Sequence, residues 1–304
     1  MIQLSYSEHY PIPLPAGHRF PFGKYKLLRE QLEYLDLIKP EQLFAPTFIE
    51  DEIIHLTHSP EWWALAKQMA LGKQAYRKIG FPNVPELISR SLSSASGTLH
   101  CAVNALQVGA GMNLAGGTHH AFFDHGEGFC LLNDIAIAAN YLLHAGLAKR
   151  ILIVDLDVHQ GNGTAAIFEN EARVFTFSMH CRENYPFRKM KSDLDIEVPA
   201  FSTDDFYLKQ LKTYVPGLFQ SFKPDIVFYL AGVDVLESDQ LGKLNLSKEG
   251  CRLRDEWVIS QARIHDLPLV VVMGGGYNQN YAPIVNAHCN TFKLALEYYE
   301  NFGN

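Results

Sequence analysis

Four short and almost uninterrupted apolar runs constrain the fold of this chain more than any other feature. They lie at residues 151–154, 173–178, 225–231 and 267–273. Strands that are buried on both faces of a sheet have this composition, because neither face can carry polar side chains. Helix candidates separate or follow the runs, at residues 133–144, 204–222, 247–264 and 282–299. This alternation predicts a three-layer α/β/α fold with a parallel central sheet.

The first hundred residues have a different pattern. After a short N-terminal strand, apolar residues at helical spacing predict helices from Lys24 to Ile38, from Pro60 to Leu71 and from Ser89 to Val108. We find no linker, low-complexity tail or internal repeat in the 304 residues. The sequence therefore predicts one domain over residues 1–304.

Composition bears mainly on the function classes that can be set aside. A formal net charge of −7 argues against nonspecific nucleic-acid binding. No apolar run approaches the roughly 18 residues that a membrane span requires, and the N-terminus lacks the pattern of a secretory leader. The five cysteines form no CxxC pair, which favours a reducing compartment over a disulfide framework. We expect a soluble, cytoplasmic protein without a nucleic-acid partner.

Chemically suggestive motifs follow the apolar runs. Asp155, Asp157 and His159 come directly after the run at residues 151–154, and their spacing of two places them on one side of an extended chain. The histidine pair His119-His120 follows a further, shorter apolar run at residues 112–115. Asp234, and Tyr277 behind the glycines Gly274-Gly275-Gly276, follow two of the longer runs. Parallel strands end at one edge of a sheet, where open α/β folds bind ligands. Each of these residues alone also suits a structural role, but their occurrence together favours a catalytic or ligand-binding site.

Two carboxylates and an imidazole suit a divalent ion that accepts nitrogen and oxygen ligands. Asp157, His159 and Asp234 supply the three protein ligands that are typical of catalytic zinc, and iron(II) also accepts this set. An anionic ligand shell acidifies water less than three histidines do, so a nearby base is needed. The pair His119-His120 offers that base.

Three further residues complete the predicted machinery. Asp155 is the carboxylate left over once the ion has its ligands, and we assign it to orient His119. Asn162 can orient His120, and because it is neutral it stabilises an imidazolium less than a carboxylate would. His120 would then stay neutral near pH 7. Tyr277, presented by the glycine turn, can donate its phenol to a developing oxyanion.

These residues lie in strings that resemble the histone deacetylase superfamily, in the same order and over almost the whole chain. The strings are GGTHHAFFDHGEGFCLLND, ILIVDLDVHQGNG, VFTFSMH, YLAGVDVLESDQLGKLNLS and VVVMGGGY. Asn162, the stretch from Asp234 to Asp239 and the pair Tyr185-Pro186 are most similar to the class IV branch. The resemblance implies the arginase-deacetylase fold, in which helices flank a mostly parallel eight-stranded sheet.

The resemblance also implies roles for individual residues. His120 would be the general base, His119 an electrostatic partner and Tyr277 the oxyanion donor, beside the zinc ligands named above. A tunnel for the acylated side chain is implied, with substrate contacts from Gly128, Phe129, Tyr185 and Gly275. A structural potassium ion behind the metal is implied as well, held by side-chain or carbonyl oxygens of Asp155, Asp157, His159, Ser178 and Met179.

The sequence thus predicts a zinc-dependent hydrolase that removes acyl groups, acetyl or longer, from the side-chain amine of lysine in proteins or peptides. Deacetylation of small acetylated polyamines is the alternative within the same chemistry. A catalytically silent module that binds acyl-lysine is the alternative of another class, and the presence of His119, His120 and Tyr277 counts against it. An arginase-like two-metal hydrolase fits less well, because such sites need more bridging carboxylates. Residues 72–89 match no family pattern, so the contacts at the substrate rim stay open.

Overall fold

The computed structural model describes residues 1–300, and residues 301–304 lie outside the described part. Eight strands form one sheet: β1 (Gln3–Ser5), β2 (Leu43–Phe44), β3 (Ala110–Asn113), β4 (Ile151–Asp155), β5 (Val174–Cys181), β6 (Leu194–Val198), β7 (Ile226–Leu230) and β8 (Leu269–Val272). Their order across the sheet is β2-β1-β3-β8-β7-β4-β5-β6, and every neighbouring pair is parallel. All carboxyl ends therefore face one edge.

Ten helices flank the sheet in the described residues: α1 (Gly23–Tyr34), α2 (Asp51–Ile54), α3 (Pro60–Lys67), α4 (Lys73–Ile79), α5 (Pro85–Val108), α6 (Asp134–His144), α7 (Asn162–Phe168), α8 (Asp204–Phe222), α9 (Lys248–Ile264) and α10 (Tyr281–Tyr299). In one packed group, α10 contacts α1 and α9, and α9 contacts α8. In the other, α6 contacts α2, α5 and α7.

The central strands sit in the apolar core. Every residue of β3, β4, β7 and β8 is buried. This burial on both faces is the reason that their sequences are continuous apolar runs. In the register of β4 with β7, Ile151 pairs with Ile226 and Asp155 with Leu230, so the two strands end level. Residues that follow these two strands are thereby brought together.

The predicted architecture is confirmed, and the sheet is entirely parallel rather than mostly parallel. Two strands, β2 and β6, were missed in the sequence analysis. The first has only two residues, and four of the five residues of the second are not buried, so neither forms an apolar run. One core cluster extends over both ends of the described chain, from Ile2 to Tyr299. On this basis we propose that residues 1–304 form one domain.

Several predicted helix ends are wrong by a turn. The helix expected to reach Ile38 ends at Tyr34, and Asp36 has a left-handed φ of 53°, which a helix does not accept. The helix expected to begin at Ser89 begins at Pro85, a residue favoured in the first turn because no N–H is needed there. Asn162 is the first residue of α7, a helix that the sequence did not predict.

Two further expectations concern the chain as a whole. All five cysteines are free and buried, as expected for small packing groups. Among the described helices, none combines the length and the apolar character that a membrane crossing requires.

Candidate active site

The functional side chains predicted from the sequence meet at the carboxyl edge of the sheet. Asp155 ends β4, and Asp157 and His159 lie in the short loop between β4 and α7. Asp234 follows β7, and the turn before Tyr277 follows β8. The histidine pair lies in the loop between β3 and α6. All of these strands are neighbours in the centre of the sheet, which explains how segments far apart in sequence converge here.

Asp157, His159 and Asp234 form a buried group whose ligand atoms all lie within 4.8 Å of one another. Nδ1 of His159 lies 2.9 Å from Oδ1 of Asp157 and 3.2 Å from Oδ2 of Asp234. Within residues 1–300, Oδ2 of Asp234 is buried and accepts no hydrogen bond. Leaving a buried carboxylate oxygen without a donor is costly. A cation at this point would satisfy it, so the group fits a divalent metal ion.

Backbone N–H groups aim the two carboxylates. Gly275 N donates to Oδ2 of Asp157 at 2.7 Å, and Val158 N donates to Oδ1 of Asp234 at 2.9 Å. A side chain at position 275 would collide with Oδ2 of Asp234. The turn after β8 therefore needs glycine at this position because the carboxylates approach its backbone so closely.

Electrostatics in the ion-free protein also favour a cation. Burial and the negative charge of Asp157 raise the pKa of Asp234 to about 7. Burial raises the pKa of Asp157 too, but the positive charges of His119 and His159 outweigh burial and hold it well below its usual value. The two buried carboxylates thus compete for ionisation. A divalent cation relieves this competition, because it compensates both charges at once.

The two histidines of the pair have different partners. Nδ1 of His119 lies 2.7 Å from Oδ2 of Asp155, and Nδ1 of His120 lies 2.6 Å from Oδ1 of Asn162. The centroids of the two rings are 4.1 Å apart. Each residue is 4% exposed. The structure therefore brings together the partners that were assigned from the sequence, while their catalytic roles stay predictions.

The pKa values of the pair diverge. Burial lowers the pKa of His119, but the carboxylates of Asp155 and Asp157 outweigh burial and raise it above its ordinary value. Burial and the positive charges of His119 and His159 hold the pKa of His120 well below its ordinary value. The surroundings thus favour the charged form of His119 and the neutral form of His120. Environments that separate the pKa values of adjacent groups are typical of acid–base sites.

Glu127 extends the contacts of His120 and was not recognised in the sequence. Its Oε1 accepts a hydrogen bond from Nδ2 of Asn162 at 2.5 Å. Burial and a hydrogen bond with Glu127 also raise the pKa of the Tyr185 phenol. Asn162, the neutral partner of His120, is thus itself hydrogen-bonded to a carboxylate. Glu127 lies inside the string GGTHHAFFDHGEGFCLLND, but no spacing links it to position 162.

Tyr277 lies beside the proposed metal ligands. Its ring centroid is 6.2 Å from that of His159 and 5.8 Å from that of Phe129. Burial and the carboxylates of Asp157 and Asp234 raise the pKa of its phenol well above the usual value, so the phenol stays a hydrogen-bond donor. Its backbone N donates to Oδ2 of Asp239 at 2.6 Å, which anchors the turn.

Lys24 supports the same turn and was also missed. It is 1% exposed, and its Nζ donates to the carbonyl oxygens of Gly274 at 3.1 Å and Gly276 at 3.4 Å. Nζ also lies 5.5 Å from the ring centroid of Tyr277. Lysine is almost never fully buried without a compensating partner, and here carbonyl dipoles and aromatic faces take that role. In the sequence it is one of several basic residues of an amphipathic helix.

A cavity of about 420 Å³ connects this site with the surface. His120, His159 and Tyr277 line it together with the predicted tunnel residues Gly128, Phe129 and Tyr185. A side chain at position 128 would collide with the His120 ring. Phe129 has a φ of 68°, a conformation that is strained for a bulky residue and that recurs at functional sites. Gly275 lies deeper, against the carboxylates.

Residues 72–89, which matched no family pattern, form part of the mouth of this cavity. They contain α4 and the start of α5. The carbonyl oxygen of Lys78 accepts from Gly128 N at 3.0 Å, and that of Ile79 accepts from Phe129 N at 2.7 Å. The end of α4 thus fixes the position of the Phe129 wall.

Three of the five predicted potassium ligands are neighbours in the sheet, and the other two, Asp157 and His159, lie in the loop after β4. Asp155 of β4 pairs with Ser178 of β5, and Met179 is the next residue of β5. Oγ of Ser178 lies 3.0 Å from Nδ1 of His180. These positions are compatible with the predicted site, and the ion itself stays a prediction.

Comparison with known proteins gives a consistent picture. The family model described as Histone deacetylase domain matches residues 18–292. A protein of Picosynechococcus sp. is 43% identical over 294 residues, which are 97% of this chain and 98% of that protein. Histone deacetylase 2 of Arabidopsis thaliana is 35% identical over 192 residues, which are 62% of this chain and 50% of that protein. Acetoin utilization protein AcuC of Staphylococcus aureus is 29% identical over 284 residues, which are 86% of this chain and 73% of that protein.

The solved structures agree on the fold. The crystal structure of the HDA15 HD domain has a TM-score of 0.78 at 21% identity and covers 97% of this chain and 90% of that chain. This similarity supports the predicted arginase-deacetylase architecture. The predicted class IV branch and cytoplasmic location are not addressed by these matches and stay predictions. Because the family model matches most of the chain, the protein belongs to the histone deacetylase family of hydrolases.

Proposed function

We propose that the protein is a zinc-dependent deacetylase that acts on the side-chain amine of lysine in a protein or peptide. The observation that carries this proposal is the pair His119-His120 at a buried group of metal-ligand type, with Nδ1 of the first on a carboxylate and Nδ1 of the second on an amide. The cavity gives an extended side chain access to this point. General-base chemistry requires a neutral imidazole within reach of the reacting water, and burial favours that state for His120.

Asp157, His159 and Asp234 would hold the ion, which when bound would polarise the acyl carbonyl and acidify the attacking water. Iron(II) accepts the same ligands. The bond from Nδ1 of His120 to Asn162 leaves Nε2 of His120 available to take a proton from that water. The same nitrogen can then return the proton to the departing lysine amine.

Two other side chains stabilise charge during this reaction. Asp155 and Asp157 favour the protonated form of His119, which would place a positive charge next to the reacting atoms. Tyr277 keeps its phenol proton and can donate it in a hydrogen bond to the carbonyl oxygen as negative charge develops there. Both interactions are stronger in the transition state than in the ground state, which is the requirement for catalysis.

The space beyond the histidine pair supports a short acyl group. A second cavity of only about 20 Å³ is lined there by His119, His120 and Tyr277 together with Tyr25, Arg90 and Cys130. This volume suffices for about one water molecule. Because the acyl chain points inward from the carbonyl, away from the lysine stem, an acetyl group fits this space and a fatty chain does not.

A panel of lysine peptides with acyl groups from acetyl to myristoyl tests both parts of the proposal. With metal content measured on the same preparation, we expect the zinc-loaded protein to hydrolyse the acetyl peptide fastest. Faster hydrolysis of the myristoyl peptide would show that the inner space opens, and would overturn the chain-length part alone. No hydrolysis of any peptide by fully loaded protein would contradict the proposed function.

A further inference from the structure

The mouth of the cavity is basic, although the chain as a whole is acidic. Five charged residues other than histidine line the cavity. Four of them are cations, Arg19, Arg77, Lys78 and Lys243, and one is an anion, Glu183. All five are exposed. The whole chain has a formal net charge of −7, so the charge at this opening is opposite in sign to the charge of the chain.

Three cations belong to the side of the mouth formed by Phe129. Arg77 and Lys78 lie in the last turn of α4, whose end is hydrogen-bonded to the Phe129 loop. Arg19 follows His18, whose ring centroid lies 5.9 Å from that of Phe129. Backbone contacts and ring packing therefore hold the three charges at the opening.

The fourth cation belongs to the side formed by Tyr185. Lys243 N donates to Oδ1 of Asn184 at 3.0 Å, and Lys243 Nζ donates to the carbonyl oxygen of Glu183 at 2.9 Å. The carboxylate of Glu183 is already paired with Arg182 at 2.8 Å. The single anion at the mouth is thus compensated by a cation of its own.

The four cations have no such compensation. Within residues 1–300, no carboxylate lies at ion-pair distance from Arg19, Arg77, Lys78 or Lys243. When the stem of an acylated lysine fills the cavity, the residues next to that lysine must lie on this rim. Charge at the rim then steers complementary substrates and opposes substrates of like charge.

We propose that this basic rim, formed by Arg19, Arg77, Lys78 and Lys243, selects acylated lysines that are flanked by acidic residues. It disfavours lysine-rich segments and acetylated polyamines, because both bring positive charge to the rim. The inference rests on the proposed deacetylase function and names the class of substrate for that same site.

Three acetyl-lysine peptides of equal length test this proposal, with glutamate, serine or lysine on both sides of the acetylated residue; acetylspermidine is the fourth substrate. At low ionic strength we expect kcat/KM to fall in the order glutamate, serine, lysine, with roughly a tenfold difference or more between the extremes. The difference should shrink at about 300 mM salt, because salt screens exposed charges. Acetylspermidine should be a poor substrate.

A charge-reversed variant tests whether the rim causes the order of kcat/KM among the peptides. Arg77→Glu combined with Lys78→Glu should invert or abolish the order of the three peptides, and both replaced side chains are exposed. The matched control is Lys149→Glu with Arg150→Glu, an exposed pair directly before β4 and hence at the opposite edge of the sheet. This control should keep the order of the native protein. Melting temperatures check that both variants are folded.

Binding gives a second readout that does not depend on turnover. Fluorescence anisotropy of the same peptides, labelled, with the Tyr277→Phe protein should give the same order of affinity. Equal rates and equal affinities for the three peptides at low salt would overturn the proposal and leave the deacetylase function standing. If no peptide is hydrolysed, the proposed deacetylase function is wrong. The order of affinities then tests by itself whether the rim prefers acidic peptides. Acetylspermidine as the best substrate would also overturn the proposal.

Discussion

At the scale of single residues, neighbouring groups rather than residue type decide what each histidine can do. His119 and His120 are adjacent and equally buried, yet one is bonded to a carboxylate and the other to an amide. The pKa of the first rises and that of the second falls. A charged imidazole stabilises developing negative charge, and a neutral one accepts a proton. Two identical side chains are thereby suited to the two different tasks that we propose for them.

Glu127 gives the first residue-scale prediction. Glu127→Gln removes the carboxylate behind Asn162 and should lower kcat about tenfold, because the amide then supports a charged His120 less well. Asn162→Asp alone should also be impaired, since it brings two carboxylates together. The double variant Glu127→Gln with Asn162→Asp restores an amide–carboxylate pair and should recover most of the turnover. Steady-state kinetics of the three variants check this; loss in the double variant equal to the product of the single losses would contradict it.

Tyr277 gives the second residue-scale prediction. Tyr277→Phe should lower kcat by about 10²-fold to 10³-fold with KM nearly unchanged, because the phenol acts on the oxyanion and not on the ground state. Metal content should be unaffected. Kinetics combined with thermal melting distinguish this role from a structural one. Normal turnover with a lower melting temperature would remove Tyr277 from the mechanism.

The proposed metal ligands give the third residue-scale prediction. Asp157→Ala, His159→Ala and Asp234→Ala should each abolish both metal binding and activity, because three protein ligands leave no redundancy. Elemental analysis after dialysis measures the bound metal. Asp239→Asn is an instructive comparison, since Asp239 anchors the Tyr277 turn without belonging to the ligand group. Stoichiometric zinc in any of the three alanine variants would disprove the assignment of that ligand.

At the scale of secondary-structure elements, the turn after β8 connects the proposed metal ligands with Tyr277. Its backbone donates to Asp157, its carbonyl oxygens accept from Lys24, and its end is tied to Asp239. Gly276 has a φ of 146° and Gly274 one of 68°, which only glycine adopts without strain. One short segment thus sets the distance between the ion site and the phenol.

Two glycine substitutions separate this role from a general effect of glycine. Gly275→Ala should abolish metal binding and lower the free energy of unfolding by about 1–3 kcal/mol, because its methyl group would collide with Asp234. Gly217→Ala in α8 is the control, since nothing lies within 4 Å of the added carbon. There the free energy of unfolding should rise by up to about 1 kcal/mol. Denaturant titration and metal analysis measure both effects, and normal zinc binding by Gly275→Ala would refute the steric argument.

At the scale of the whole molecule, buried neutral histidines couple the fold to pH. Burial lowers the pKa of His58 and of His180 to about 4 and that of His288 well below the ordinary value. His58 shows the cause most clearly: its Nδ1 lies 2.8 Å from the carbonyl oxygen of Phe122, and its Nε2 accepts from Asn133 N at 2.9 Å. A proton on Nε2 would break the second bond.

This burial predicts acid lability. Between about pH 6.5 and pH 4, His58 is protonated in the unfolded chain but stays neutral in the folded protein. The free energy of unfolding therefore falls as the pH is lowered through this range. The shift from 6.5 to about 4 corresponds to a loss on the order of 3 kcal/mol. Denaturant unfolding at several pH values should show a shallower pH dependence for His58→Gln than for the native protein. Parallel curves for the two proteins would rule out this contribution.

The local pattern of the sequence determined the parallel sheet and the core of the site. The runs of β4, β7 and β8 are apolar because both faces are covered, and a chain with such runs has few other ways to bury them. Asp155 ends the run of β4, and Asp157 and His159 come directly after it, so the run itself places them at the end of that strand. These features depend on neighbours in sequence, and sequence reasoning therefore found them.

Only the tertiary structure decided the contacts that join distant segments. Helix α1 packs against α10, and Lys24 of α1 reaches the carbonyl oxygen of Gly274, 250 positions away. Glu127 meets Asn162 across a separation of 35, and the basic rim draws its cations from three separate segments of the chain. No periodicity encodes such pairs. They arise because burying the apolar runs in one particular strand order brings these loops to the same edge, where their polar groups then find partners.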